Sequence, residues 1–565
     1  MSKLIKSYVC GDADEPLLYE TIGNYFDNIV ERFPENDALI IPYQNIHWTY
    51  KKFQQEVDSL ATGLLNLGIS KGDRIGIWGP NSVEWCLTQF ATAKVGAIMV
   101  CINPAYRTYE LEYALKKVEC KAIITAESFK SSQYLHMLQE ISPELAYQTP
   151  ECLQLTSFPQ LEMIIRMGNE KTPGMLNFND ICNRGSQENH QELANLKNTL
   201  MPDDAINIQF TSGTTGSPKG ATLTHFNIIN NACLSAKAMR FDETDKLCIP
   251  VPLYHCFGMV LGTLLCVTTG STAVFPGASF GPEETLKTIE QQGCTGLHGV
   301  PTMFITELEL PNFSDYNLSS LRTGIMAGAS CPEEVMKRVM QEMHMKHILI
   351  GYGQTEVSPL NHITRPDDSV VQRIETVGRV VPRIEVKIAN SQGQVVAVGE
   401  KGEICTRGYS VMQGYWNDKE KTEETIDKAG WLHSGDIGIM DEEGYVRVVG
   451  RTKDMVIRGG ENIYPREVEE FLYTHPKIQD VQVFGIPDNT MGEALCAWIK
   501  VQGDERLEAS DIKAYCDGKV AHFKVPKYIK FVDNYPMTVT GKVQKFKMKE
   551  EMIAIQETYV ASESG

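Results

Sequence analysis

Residues 74–125 alternate three apolar runs with two amphipathic stretches, and this alternation restricts the fold of the 565-residue chain more than any other feature. RIGIWG (74–79), AIMVCI (97–102) and KAIIT (121–125) read as strands, and residues 82–94 and 108–118 read as helices. Strands apolar along their whole length need cover on both faces, so the βαβαβ order predicts a doubly wound parallel sheet. The pattern resumes further on with CIPVPLYH (248–255), STAVFPG (271–277), GLHGVP (296–301), TGIMAG (323–328) and HILIGYG (347–353). Each of these runs ends in or near Gly, Pro or His, and ligand loops of such sheets sit at the carboxyl ends of the strands.

Between the two alternating regions lies TSGTTGSPKG (211–220), small hydroxyl side chains and three glycines around Lys219. Glycine lets main-chain N–H groups approach anionic oxygens, hydroxyls add donors and the lysine adds charge, so the composition suits phosphate. Residues 205–210 read as a buried strand and residues 224–238 as a helix, which makes the expected order strand, phosphate loop, helix. A Walker A loop is excluded because Pro218 precedes Lys219 and Gly220 follows it. A flexible Ser/Gly linker would not set Pro-Lys-Gly before an apolar helix.

Composition bounds the function. A chain that is 42% apolar and 22% charged is of globular-enzyme type, and 53 basic against 72 acidic residues, net −19, argues against a nucleic-acid surface. The 15 cysteines form no C-x-x-C pair, so neither zinc nor a disulfide framework is indicated and a reducing, cytoplasmic setting is expected. Asp12, Asp14 and Glu15 interrupt the N-terminus, and the apolar stretch 259–275 is broken by Gly and Thr, reading as a buried helix, turn and strand rather than a membrane span. Weak peripheral membrane contact and a homo-oligomer both stay open.

After GRTKD (450–454) about a hundred residues read as a small α+β unit: a helix from Pro465, strands VQVFGI and ALCAWIKV, a helix over 509–523 and a strand YIKFV. The expected organisation is a large N-terminal domain of mainly doubly wound sheets (1–452), a small mobile α+β domain (453–552) with a hinge near 450–454, and a polar tail (553–565).

With the phosphate loop stand YGQTE (352–356), SGD (434–436), GRTKD (450–454) and TGK (540–542). In this order they resemble the motifs of the adenylate-forming superfamily of acyl-CoA synthetases, luciferases and adenylation domains, over about residues 21–549. IRGGENIYP, NPAYR, PLYHC and FKVPKYI are most similar to the acyl-CoA synthetase family member 2 branch, which is associated with medium-chain fatty acids. The resemblance implies an AMP-forming ligase that makes acyl-AMP and pyrophosphate from ATP and a fatty acid, then a CoA thioester and AMP. It implies Thr211, Ser212, Gly213, Thr214, Thr215, Gly216 and Lys219 around the β and γ phosphates. Tyr352, with Gly353 and Gln354, would meet adenine, Thr355 the α-phosphate, Asp436 the ribose hydroxyls and Arg451 the ribose or α-phosphate, while Glu356 would hold Mg²⁺. Gly328, Ala329 and Ser330 would border the nucleotide and the acyl group, with residues 252–258 and 296–301 as further pocket walls.

Lys453 sits where the family turns its small domain, Gly459 and Gly460 would line the pantetheine passage, and Lys542 would reach the carboxylate and α-phosphate during adenylation. His255 would gate the site or orient the carboxylate, with a packed core histidine as the alternative. Transfer to a carrier-protein phosphopantetheine, or an aryl acid as substrate, are the competing readings.

Overall fold

Strand Arg74–Trp78 runs parallel to Ile98–Cys101 on one side and to Ala122–Thr125 on the other, with helices Val83–Val95 and Thr108–Val118 as crossovers. The first helix starts where the Ser82 side chain accepts the Trp85 N–H and stops at Gly96, whose φ of +78° a side chain would oppose. In the computed structural model, which describes residues 3–211, 218–329, 331–458, 461–488, 491–503, 505–538 and 542–563, this sheet extends to eight strands. Ile75, Ile77, Met99 and Ile124 enter one hydrophobic core while Ile98, Val100, Ile123 and Ile164 enter another. Alternate residues of the same strands therefore serve opposite faces, as a doubly wound sheet requires.

The next described element after Ala205–Thr211 is not the expected helix but a second strand, Lys219–Thr224, which runs antiparallel to it with Lys219 opposite Thr211. The helix His225–Met239 begins only at the far end of that strand, where Thr224 caps it through the Asn227 N–H. Gly220, Ala221 and Thr222 carry too little apolar bulk to announce a strand, yet Ala221 and Leu223 are fully buried.

A nine-stranded sheet contains Lys246–Cys248, Thr272–Val274, Gly296–Leu297, Thr323–Ala327 and His347–Gly353 as parallel neighbours. A third sheet of five antiparallel strands, among them Ile384–Ala389, Gly402–Gly408, Leu432–Met440 and Val446–Arg451, packs Ile384, Val386, Ile404 and Met440 into the core it shares with the doubly wound pair.

Beyond Arg451 a separate core forms. Strands Ile478–Asp488 and Gly492–Val501 place Val481, Val483 and Ile499 against helix Pro465–Tyr473, and Phe484, Ile486 and Trp498 against helix Lys545–Glu563 through Met548 and Met552. The chain is thus α/β, with a large N-terminal and a smaller C-terminal domain. Helix Lys545–Glu563 continues through residue 553, where the polar tail was expected to begin. The helix expected over 509–523 covers Ala509–Cys516, because Gly518 takes φ +68° and the chain turns before His522–Lys524. Among the described residues no helix is long and apolar enough to cross a membrane.

Candidate active site

The carboxyl ends of strands Thr323–Ala327 and His347–Gly353 lie side by side, so Gly328 and Ala329 adjoin Tyr352 and the turn Thr355–Val357. Gly353 tolerates no side chain, since a Cβ there would fall 1.9 Å from the Pro359 carbonyl oxygen. Gly328, at φ +88°, is covered by the small domain: a Cβ on it would lie 3.4 Å from Lys542 Cε. Met537 pairs antiparallel with Val543, and beside that bridge the Lys542 N–H donates to Thr538 Oγ1 at 2.9 Å while its carbonyl accepts the Thr538 N–H at 2.7 Å.

Tyr352 and Arg451 converge on Asp436. The tyrosine hydroxyl donates to Asp436 Oδ2 at 2.8 Å and Arg451 Nε to Oδ1 at 3.0 Å, Asp436 and Arg451 facing each other across the antiparallel ladder. Burial pushes the Asp436 carboxyl above its ordinary range, against the pull of Arg451 and Tyr352, while the carboxylate in turn raises the guanidinium. The Asp436 N–H donates to Ser434 Oγ at 3.0 Å, and that hydroxyl donates to the Ile404 carbonyl at 2.6 Å.

Glu356 is buried. Its Oε1 accepts the Tyr415 hydroxyl at 2.8 Å, leaving Oε2 without a hydrogen-bond partner among the described residues. Lys219 Nζ lies 3.2 Å from the same tyrosine oxygen and 4.3 Å from its ring centroid. One hard carboxylate with an open oxygen, beside a lysine from the phosphate-type loop, fits a Mg²⁺ ion shared with phosphates. Thr355 is buried beside the Cys256 thiol, which also donates to Gln209 Oε1 at 3.0 Å.

His255 Nδ1 accepts the Phe257 N–H at 3.2 Å and starts the helical segment that follows. Burial, reinforced by the Lys542 charge, lowers its imidazole to about 3, so His255 is neutral near pH 7. For Lys542, burial comes first and Arg451 next, lowering the ammonium to about 8 against the opposing Glu356 and Asp436. The structure thus brings Lys542, Glu356, Asp436, Arg451, Tyr352 and His255 to one place from both domains. Lys453 is exposed on the turn where Arg451 O accepts the Asp454 and Met455 N–H groups at 3.1 Å. Ser212, Gly213, Thr214, Thr215, Gly216, Ser330, Gly459 and Gly460 lie outside the described residues.

Beside the cluster a crevice of about 250 Å³ opens between the domains, its walls including Asn81, Tyr254, Phe280 and Met303 of the large one and Met537 and Thr538 of the small one.

Residues 26–416 match the AMP-binding enzyme family, and residues 467–542 match the AMP-binding enzyme C-terminal domain. The chain belongs to the AMP-binding enzyme family. It is 48% identical over 538 residues to the putative acyl-CoA synthetase YngI of Bacillus subtilis (strain 168), covering 95% of this chain and 98% of that protein. To the mitochondrial medium-chain acyl-CoA ligase ACSF2 of Bos taurus it is 45% identical over 554 residues, covering 97% and 90%. The crystal structure of the anthranilate CoA ligase AuaEII in complex with anthranoyl-AMP shares its fold with a TM-score of 0.84 at 27% identity, over 96% of this chain and 99% of that one.

No motif of this AMP-binding enzyme pointed to Tyr415, the residue that joins Lys219 to Glu356. It lies on the short edge strand Gly414–Tyr415 and reaches the site only because that strand pairs with Lys219–Thr224.

Proposed function

We propose that the chain is an ATP-dependent fatty acid–CoA ligase acting in two half-reactions, with medium-chain acids as substrates. A carboxylate oxygen of the acid attacks the α-phosphorus of ATP, the bond to pyrophosphate breaks and acyl-AMP forms. The CoA thiol, having lost its proton, then attacks the acyl carbon, and AMP departs. The observation that carries this reading is the approach of Lys542 from the small domain to Gly328, among Glu356, Asp436 and Arg451.

In this reading Lys542 neutralises charge building between the acid and the α-phosphate, where a fixed cation in a water-poor site is most effective. Asp436 accepts the ribose hydroxyls, Tyr352 meets adenine, Thr355 and Arg451 approach the α-phosphate, and Thr211, Lys219 and the intervening loop take the terminal phosphates. Glu356 would hold Mg²⁺ together with phosphate oxygens, and the ion supplies charge neutralisation there. Neutral His255 orients the carboxylate without competing for its charge. The domains divide at 452/453 with Lys453 as the pivot, and turning the small domain away withdraws Met537 and Thr538 from the crevice and lets the thiol approach, with Gly459 and Gly460 beside its arm.

Medium chain length is supported by the name of the ACSF2 relatives. An aryl acid is the second reading, favoured by the likeness to the anthranilate CoA ligase. The test is acid-dependent pyrophosphate release over acetate to palmitate, with benzoate and anthranilate as further arms, each with and without CoA. Each buried methylene should add up to ~0.8 kcal/mol until the pocket is full, giving a peak at medium length. A best kcat/KM with acetate or an aryl acid would overturn the fatty-acid reading. Release of AMP that does not depend on CoA would overturn CoA as acceptor.

A further inference from the structure

Strands Gly402–Gly408 and Leu432–Met440 lose register where the Asp436 loop begins. Glu403 faces Ile437 and Cys405 faces His433, so the second strand carries two extra residues in the interval that holds Ser434, Gly435 and Asp436. Such a bulge needs fixing from outside the ladder, because its own main-chain groups are no longer paired across it.

Glu403 does this with both oxygens. Its Oε1 accepts the Gly435 N–H at 2.9 Å, and its Oε2 meets His433 Nδ1 at 2.8 Å. The other imidazole nitrogen faces Asp427 Oδ2 at 3.7 Å. Gly435, at φ +73°, directs its carbonyl the other way, where it accepts the Thr452 N–H at 2.9 Å. The carboxylate therefore grips the loop on both sides of Ser434, immediately before the residue whose side chain Tyr352 and Arg451 hold.

We propose that Glu403 and His433 are a positioning pair for nucleotide binding: they touch no substrate, and they set the affinity for ATP by fixing the Ser434–Gly435–Asp436 bulge. The proposal rests on the reading of Asp436 as the ribose acceptor. Side-chain exposures of 28% for Glu403 and 32% for His433 mean that the pair adds little to global stability, so its effect is geometric.

The decisive measurement is the dissociation constant of ATP by calorimetry, with the KM for ATP and kcat of pyrophosphate release and the melting temperature beside it. Glu403→Ala is expected to weaken ATP binding and raise its KM ~10-fold by leaving the Gly435 N–H unpaired, with kcat and melting temperature near those of the wild type. Glu403→Gln keeps an oxygen for that N–H and should recover most of the loss. His433→Asn, which keeps a donor near the Nδ1 position, should bind ATP better than His433→Ala.

Unchanged ATP affinity in folded Glu403→Ala, or a fall in melting temperature that accounts for the loss in both alanine variants, would overturn the proposal. So would stoichiometric zinc in the purified protein that Cys405→Ser abolishes, since Glu403, Cys405 and His433 offer donor atoms within 4.8 Å of one another. Wild-type protein that binds ATP but releases no pyrophosphate with any acid would instead count against the ligase reading, and the ATP affinities would still judge the pair.

Discussion

The Tyr415 hydroxyl donates to Glu356 Oε1 at 2.8 Å while Lys219 Nζ approaches the same phenol oxygen at 3.2 Å. One tyrosine thus connects the lysine of the phosphate-type loop to the carboxylate that fits Mg²⁺. Burial and the adjoining carboxylate both raise the phenol, so it stays a donor at any working pH.

Tyr415→Phe removes the donor and keeps the ring under Lys219. A hydrogen bond to a charged group is worth about 1.5–3 kcal/mol, so kcat/KM for ATP should fall ~10–100-fold and the Mg²⁺ requirement should rise. Pyrophosphate release titrated with magnesium at several ATP concentrations measures both, and an unchanged magnesium curve would separate Tyr415 from the metal.

The pH dependence follows from Lys542. Its ammonium, lowered to about 8, is charged below that pH and neutral above it, so kcat/KM for acyl-AMP formation should decline as pH rises through about 8. The imidazole of His255, held at about 3, changes charge far below neutrality and adds no limb near pH 6–7. Profiles of the two half-reactions distinguish the cause: thioester formation from synthetic acyl-AMP should not share the Lys542 limb.

Lys542→Ala should slow acid-dependent pyrophosphate release by ~10²–10³-fold and largely spare thioester formation from acyl-AMP and CoA. Near-wild-type pyrophosphate release would remove Lys542 from the adenylation step.

Lys453→Pro should impair thioester formation more than adenylation, because proline holds φ near about −65° at the proposed pivot. Both half-reactions measured on the same preparation settle the comparison, and equal losses would place the pivot elsewhere.

The sheet through Arg74–Trp78 was legible because its apolar runs are continuous and are separated by helical spacing. The return strand Lys219–Thr224 was not, since a Gly-Ala-Thr start carries no strand signal and its burial depends on the partner Ala205–Thr211. Asp436 and Arg451 were each visible within a motif, but their pairing is a fact of register in an antiparallel sheet that the alternating pattern did not announce. Tyr415 was invisible for a simpler reason: it stands 59 residues from Glu356 and 196 from Lys219, and only the edge pairing with Lys219–Thr224 brings the three together.

The crevice between Phe280 and Met303 on one side and Met537 and Thr538 on the other is walled by both domains, so the proposed turn of the small domain would take it apart. A small molecule wedged there would contact both, and a ligand that prefers one arrangement shifts the population by its difference in affinity. Such an inhibitor would leave the first half-reaction intact and stall the enzyme with its adenylate bound, appearing in rapid kinetics as a single burst of pyrophosphate followed by silence.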